Sequence, residues 1–234
     1  MSISVIIVTR GRPDSLEATI ESAFSTAKTN NVEFIVYVDD DDQETIERCE
    51  LLTYPKLKVF KGPRPHIIAE AYNVVYEHCS NDIIMVCCDD IRFMTVGWDQ
   101  LVIDKFDKID DKIGIVYGND LVKGEKMATL PFMHRNWIDI VGYILPPYFI
   151  RENGDTWLTE VSNMINRRIY IPDMIIKHAC DDIHSSSKHD KTNKERRALD
   201  KAHPVPGGRW EYYKQLAPQR EDAASKLKHY MIHF

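Results

Sequence analysis

Two adjacent carboxylates, Asp89 and Asp90, directly follow the apolar run Ile83 to Cys87. Like charges held side by side repel, and a hard divalent cation bridging them to phosphate oxygens relieves that repulsion. The plainer role for such a pair is to cap a following helix. Two other apolar runs also end in charge. Ser4 to Thr9 leads into Arg10-Gly11-Arg12-Pro13, and Phe34 to Val38 leads into Asp39 and three further aspartates. If these runs are strands of an open α/β sheet, their carboxyl ends share one edge, where such sheets bind ligands. Basic and acidic groups gathered there suit a metal-bound phosphate ester. The alternative for Asp39 is an acidic turn that merely ends a strand, and Arg10 or Arg12 could simply pair with the local acids. Asp40, Asp41 and Asp42 read as solvated turn residues.

The elements that position these groups follow from periodicity. Ser4 to Thr9, Phe34 to Val38, Leu57 to Phe60, Ile83 to Cys87 and Ile113 to Tyr117 are β-branched or apolar runs of strand length. Between them, apolar residues recur at helical spacing: Leu16, Ile20, Ala23, Phe24 and Ala27; then Ile68, Ala71, Tyr72, Val75, Tyr76 and Cys79; then Trp98, Leu101, Val102 and Phe106. A short helix is expected at residues 45 to 52. This alternation implies βαβ units on a mostly parallel central sheet flanked by helices. Residues 118 to 150 are mixed. A helix at 156 to 167 turns Trp157, Val161, Met164 and Ile165 inward. Two short strands, 170 to 171 and 174 to 177, are split by Pro172-Asp173. A polar loop at 184 to 194 and a helical C-terminal extension complete the chain. One α/β domain over residues 1–183 is expected, with halves at about 1–117 and 118–183, followed by an extension over 184–234.

Composition narrows the class. The chain has 234 residues, 44% of them hydrophobic, enough for one large core. No apolar run is long enough to span a bilayer, and the N-terminal run lacks the features of a signal peptide. Cys49, Cys79, Cys87, Cys88 and Cys180 form no CxxC pair, which points to reduced thiols and a cytoplasmic location. The net charge of −6 argues against a dedicated nucleic-acid binder. Charge is uneven, however: residues 184–234 carry eleven Lys/Arg against six Asp/Glu. That basic segment either clamps a phosphate-bearing ligand over the acidic body or is a solvated tail.

The order of motifs resembles the family-2 type of GT-A fold glycosyltransferases. The resemblance rests on Ile6-Ile-Val-Thr-Arg-Gly-Arg-Pro13, Val36-Tyr-Val-Asp-Asp40, Met85-Val-Cys-Cys-Asp-Asp-Ile91, and Phe93, Thr95, Gly97, Trp98 and Asp99. It is strong over residues 3 to 106, thinner to about 192, and absent from the last forty. It implies a GT-A (Rossmann-like) domain and a nucleotide-sugar donor. Asp39 would contact uracil, since a carboxylate accepts the imide N–H, so the donor would be a UDP-sugar. Thr9 and Arg12 would contact the nucleotide, Asp90 would be the principal metal ligand, and Asp89 would bind donor ribose or metal. Cys87 departs from the pattern, standing where the first Asp of a DxD motif is usual. His178, after Ile175-Ile176-Lys177, would complete the metal site, and imidazole suits Mn²⁺ better than Mg²⁺. His184 and Cys180 are weaker candidates. Lys188 to Thr192 resembles a loop that folds over the donor.

For the general base the resemblance favours Asp155, just before a helix. An N-cap is its structural alternative, and Glu152 or Asp139 could take the base role instead. Trp98, His134, Trp137 and Trp157 either stack on sugar faces or fill the core. The expected activity is metal-dependent, inverting transfer of a hexosyl or pentosyl unit from a nucleotide-sugar, with Mn²⁺ or Mg²⁺. The acceptor could be a glycan, a lipid-linked sugar, a protein or a modified nucleic-acid base. A nucleotidyltransferase and a GT-A domain that binds without turnover are the alternatives. No Gly-rich phosphate loop supports the first, and only Cys87 supports the second.

Overall fold

The computed structural model describes residues 1–150, 152–179, 191–202, 205 and 208–234. Eight strands form one sheet in the order β3-β2-β1-β4-β7-β6-β8-β5. They are β1 (Ile3–Thr9), β2 (Val32–Asp39), β3 (Leu57–Gly62), β4 (Ile83–Cys88), β5 (Ile91–Phe93), β6 (Ile115–Asn119), β7 (Phe132–His134) and β8 (Arg168–His178). β1, β2, β3 and β4 pair in parallel, with β1 between β2 and β4. β7 runs antiparallel between β4 and β6. A mostly parallel sheet flanked by helices is therefore what the chain builds, as the alternation implied.

The helices lie on both faces. α1 (Pro13–Thr26), α2 (Gln43–Leu51) and α4 (Trp98–Asp107) cover one side. On the other lie α3 (Ile68–Val75), α5 (Arg135–Val141), α6 (Gly154–Met164), α8 (Arg209–Gln215) and α9 (Ala217–His233). α1 opens with Pro13, whose missing N–H costs nothing at that position. α2 is capped by Asp42, whose carboxylate accepts from the Thr45 amide at 3.4 Å. α7 (Lys191–Ala202) lies against the edge where β1 and β2 end. Tyr213, Leu216, Ala223, Ala224 and Leu227 share a core with Trp137, Trp157 and Val161, so α8 and α9 are packed into the body.

Several local expectations are corrected. The two short strands around Pro172 are one strand, β8. Its pairing jumps from Gly118↔Ile171 to Asn119↔Ile175, so residues 172 to 174 bulge out and Pro172 needs no ladder partner for its missing N–H. Gly118 permits this: a Cβ there would lie 2.3 Å from the Met174 carbonyl oxygen. Met164 is exposed rather than inward. The polar stretch ending at Lys194 becomes helical from Lys191. β5 and β7, three residues each, carry no periodic signal. No helix among the described residues is long and apolar enough to cross a membrane. Cys49, Cys79, Cys87 and Cys88 are free thiols; Cys180, His184 and Lys188 to Asp190 lie outside the described residues.

Candidate active site

The carboxyl ends of β1, β2 and β4 open into a cavity of about 620 Å³, within the range of small-molecule sites. Thr9, Arg12, Asp39, Asp89, Asp90, Asp155 and His178 all line it. These seven side chains, far apart in sequence, thus reach one space.

The turn after β4 is held from below. Thr19 on α1 donates its hydroxyl to the carbonyls of Asp89 and Ile91 at 2.8 and 2.9 Å, and the Ile91 amide donates back to it. The chain then enters β5, and the N-cap of α4 is Gly97, so neither Asp89 nor Asp90 caps a helix. Asp89 is buried, accepting from Thr9 Oγ1 and from Arg12 Nη1, both at 2.8 Å. Burial raises its pKa, the Arg12 cation opposes the rise, and the neighbouring Asp90 charge adds to it. β5 pairs antiparallel with β8, placing His178 opposite Ile91 and beside Asp90. The His178 Nε2 lies 3.3 Å from Asp90 Oδ1. Burial alone would lower the imidazole pKa, but the Asp90 hydrogen bond and the charges of Asp90, Asp120 and Asp89 leave it raised.

The donor set fits a divalent cation only in part. Asp90 and His178 offer carboxylate oxygen and imidazole nitrogen, a pair suited to Mn²⁺. Both Asp89 oxygens are engaged by Thr9 and Arg12. Among the described residues, no cluster of three His, Cys, Asp or Glu is close enough to hold an ion. A cation here would draw two ligands from the chain, leaving the rest to phosphate oxygens and water. Cys87 is packed in the core while Cys88 faces the cavity.

Asp39 is buried at the end of β2. Its carboxylate accepts from Arg10 Nη1 at 3.0 Å, with Arg64 Nε at 3.9 Å. Burial raises its pKa against the pull of Arg10, Arg196 and Arg64. Arg10 also grips Asp41. α7 forms the adjoining wall. Thr192 Oγ1 donates to the Arg10 carbonyl at 3.0 Å, Glu195 pairs with Arg64 at 2.7 Å, and Arg196 Nη1 donates to the Pro65 and His66 carbonyls. Thr192, Asn193 and Arg196 reach the cavity. Sequence reasoning missed Arg196, because one Arg in a polar helix has no pattern to mark it.

Asp155 sits in the first turn of α6, whose N-cap is Asn153. Asp155 is therefore not at the N-cap position, and the Asn153 side chain there makes no capping bond. Asp155 accepts from its own neighbour, the Thr156 amide, at 2.7 Å, and burial raises its pKa despite that bond. Glu152 lines the cavity but pairs with Arg209, and Asp139, on α5 and outside the cavity lining, accepts from the Tyr76 hydroxyl just past α3. The aromatic candidates are core: Trp98, Trp137 and Trp157 are at most 1% exposed. His134 caps α5, its Nδ1 accepting from Asn136. Asp99 is structural too, accepting from the Lys28 and Thr29 amides.

The model of glycosyl transferase family 2 matches residues 4–180. No curated protein sequence matches the chain. A solved structure of the mannosyltransferase PcManGT from Pyrobaculum calidifontis, in complex with GDP-Man and Mn²⁺, superposes with a TM-score of 0.65 at 14% identity. That match covers 97% of this chain and 73% of the other. TarS of S. aureus superposes with a TM-score of 0.61 at 10% identity, covering 85% of this chain and 42% of TarS. At such identities the two structures speak for the fold, which is GT-A. The family match spans most of the chain and includes each strand end that lines the cavity, so this chain belongs to glycosyltransferase family 2.

Proposed function

We propose that the chain transfers a hexosyl or pentosyl unit from a UDP-sugar to an acceptor hydroxyl, with inversion and with Mn²⁺ or Mg²⁺. The observation that carries this reading is a single cavity lined at one side by Asp39, Asp89, Asp90 and His178 and at another by Asp155. Asp39 takes the uracil imide N–H. Thr9 and Arg12 hold Asp89 against the nucleotide, and Asp90 with His178 supplies the metal ligands from the chain. A bound cation would neutralise charge gathering on the departing diphosphate. Asp155 accepts the acceptor hydroxyl proton as that oxygen bonds to the anomeric carbon and the bond from that carbon to the diphosphate oxygen breaks. Its raised pKa makes it a stronger base than an exposed carboxylate. The neighbour complexed with GDP-Man and Mn²⁺ supports a nucleoside-diphosphate sugar and a divalent ion; the preference for uridine rests on Asp39 alone.

The test is a panel of UDP-, GDP- and dTDP-sugars incubated with the protein and Mn²⁺, with product nucleotides separated chromatographically. UDP release from one UDP-sugar, lost on chelation, is the expected result. Release of pyrophosphate would point to nucleotidyl transfer, and no turnover of any donor would leave only a binding domain.

A further inference from the structure

α7 has two unlike faces. Thr192, Glu195, Arg196 and Leu199 turn toward the body, whereas the exposed positions are Lys191, Lys194, Arg197, Ala198, Lys201 and Ala202. At 100° per residue these six fall in an arc of about 140°, one side of the helix. Every charged residue on that side is basic. A solvated helix face ordinarily mixes both signs, since i,i+4 pairs of opposite charge support it. Here, among the described residues, only Lys191 has such a partner, Glu195 at 3.9 Å.

The stripe leads to an exposed aromatic. Arg209, at the start of α8, lies 3.5 Å from Asp200 on α7 and pairs with Glu152 at the cavity. Next to it Trp210 is 59% exposed. Its ring lies parallel to Tyr213, with centroids 5.5 Å apart and planes 3° apart. Tyr213 in turn stacks on Phe149, which lines the cavity, and the Arg220 guanidinium lies 4.1 Å from the Tyr213 centroid. The indole is thus held as a flat, open platform beside the acceptor half of the cavity, next in sequence to Arg209, which reaches α7 through Asp200.

A row of cations on one helix with an open aromatic face on the helix paired to it matches one ligand chemistry well: a flexible polyanion whose repeating units carry planar rings. We infer that α7 and Trp210 form a docking surface for single-stranded nucleic acid. Backbone phosphates would lie along Lys191, Lys194, Arg197 and Lys201, and a base would stack on Trp210. An acceptor hydroxyl carried by that strand would then be presented to the cavity. This last step rests on the transfer reading above, whereas the docking surface does not. An anionic membrane would meet the cations equally well but has no planar ring for the indole.

The experiment uses the full chain and a fluorescein-labelled mixed-sequence DNA 20-mer, with binding followed by anisotropy from 25 to 200 mM NaCl. Four phosphate contacts predict a slope of log K against log salt of roughly −3. The variant K194E/R197E/K201E should flatten that slope by about 2. Trp210→Ala should weaken binding by between about 5- and 150-fold. Both variants should keep wild-type affinity for UDP with Mn²⁺, which separates failure of this surface from failure of the donor site and also reports folding. Vesicles of phosphatidylglycerol and phosphatidylcholine form the second arm. Absence of DNA binding, binding indifferent to either variant, or capture by vesicles without capture of DNA would each overturn the inference.

Discussion

Asp155 illustrates what burial does to a single carboxylate. Transfer from water into a half-buried cavity penalises the charged form, and one short bond to the adjacent amide does not compensate. Its pKa in the folded chain therefore lies above the ordinary value, and in the window between the two the folded state holds more protons than the unfolded. Folding stability from this group consequently falls as pH rises through that window. Asp155→Asn should leave stability at pH 7 within about 1 kcal/mol of wild type, since Asp155 is not at the N-cap position and an Asn oxygen can still accept from the Thr156 amide. The same change should lower kcat by about 10²- to 10⁴-fold with donor affinity retained. Wild-type kcat should decline as pH falls through the raised pKa, while the residual rate of the variant stays flat there. A stopped transfer assay over pH 4 to 8 checks both; near-normal activity of the Asn variant would remove Asp155 from the chemistry.

At the scale of elements, the strands must hold their ends in register before any side chain matters. Glu33 on β2 does this at the opposite edge. It is buried, accepting from Ser4 Oγ of β1 at 2.5 Å, from the Ser80 amide at 2.7 Å and hydroxyl at 2.9 Å, and from Lys58 of β3 at 2.9 Å. Burial pushes its pKa up, but these donors outweigh burial and the net shift is downward. A depressed carboxylate contributes stability above its unfolded pKa and loses it as pH falls through the folded one. Glu33→Gln should cost about 1–3 kcal/mol at pH 7 in urea denaturation, with the deficit shrinking below pH 4. A constant deficit across pH would assign the loss to packing. Gly11, in the β1–α1 turn, has φ +64°, and a Cβ there would meet Thr192 Oγ1 of α7 at 3.3 Å. Gly11→Ala should cost about 1–2 kcal/mol and also weaken UDP binding, because it pushes α7 off the Arg10 carbonyl. A calorimetric affinity equal to wild type would show that α7 does not shape the donor side.

The same scale shows what can be read from residues in a row. β1, β2 and β4 are buried on both faces, so their runs are unbroken and their charged ends stand out. β5 and β7 are three residues long and defined by their neighbours, leaving no period to detect. Pro172 looked like a break because local rules see the missing N–H and not the bulge that makes it harmless. That Asp89 and Asp90 end a buried strand was legible, but their separate partners, Arg12 for one and His178 for the other, were not. Those pairings depend on Arg12 and on the β5–β8 register, both non-local.

Taken whole, the molecule gathers acids and arginines at one edge of its sheet in near-balance. Arg12 answers Asp89, Arg10 answers Asp39 and Asp41, and His178 answers Asp90. A nucleoside diphosphate with a divalent cation brings both signs to that edge and can exchange partners with each pair. Donor and cation should therefore bind as a linked pair, each tightening the other. Isothermal titration of UDP into the full chain, with Mn²⁺ and then with EDTA, measures that linkage directly when repeated on Asp90→Ala. Removing the metal should weaken UDP by at least about 10-fold, and Asp90→Ala with Mn²⁺ should reproduce the weakened value. UDP affinity that is the same with Mn²⁺, with EDTA and in Asp90→Ala would contradict that linkage.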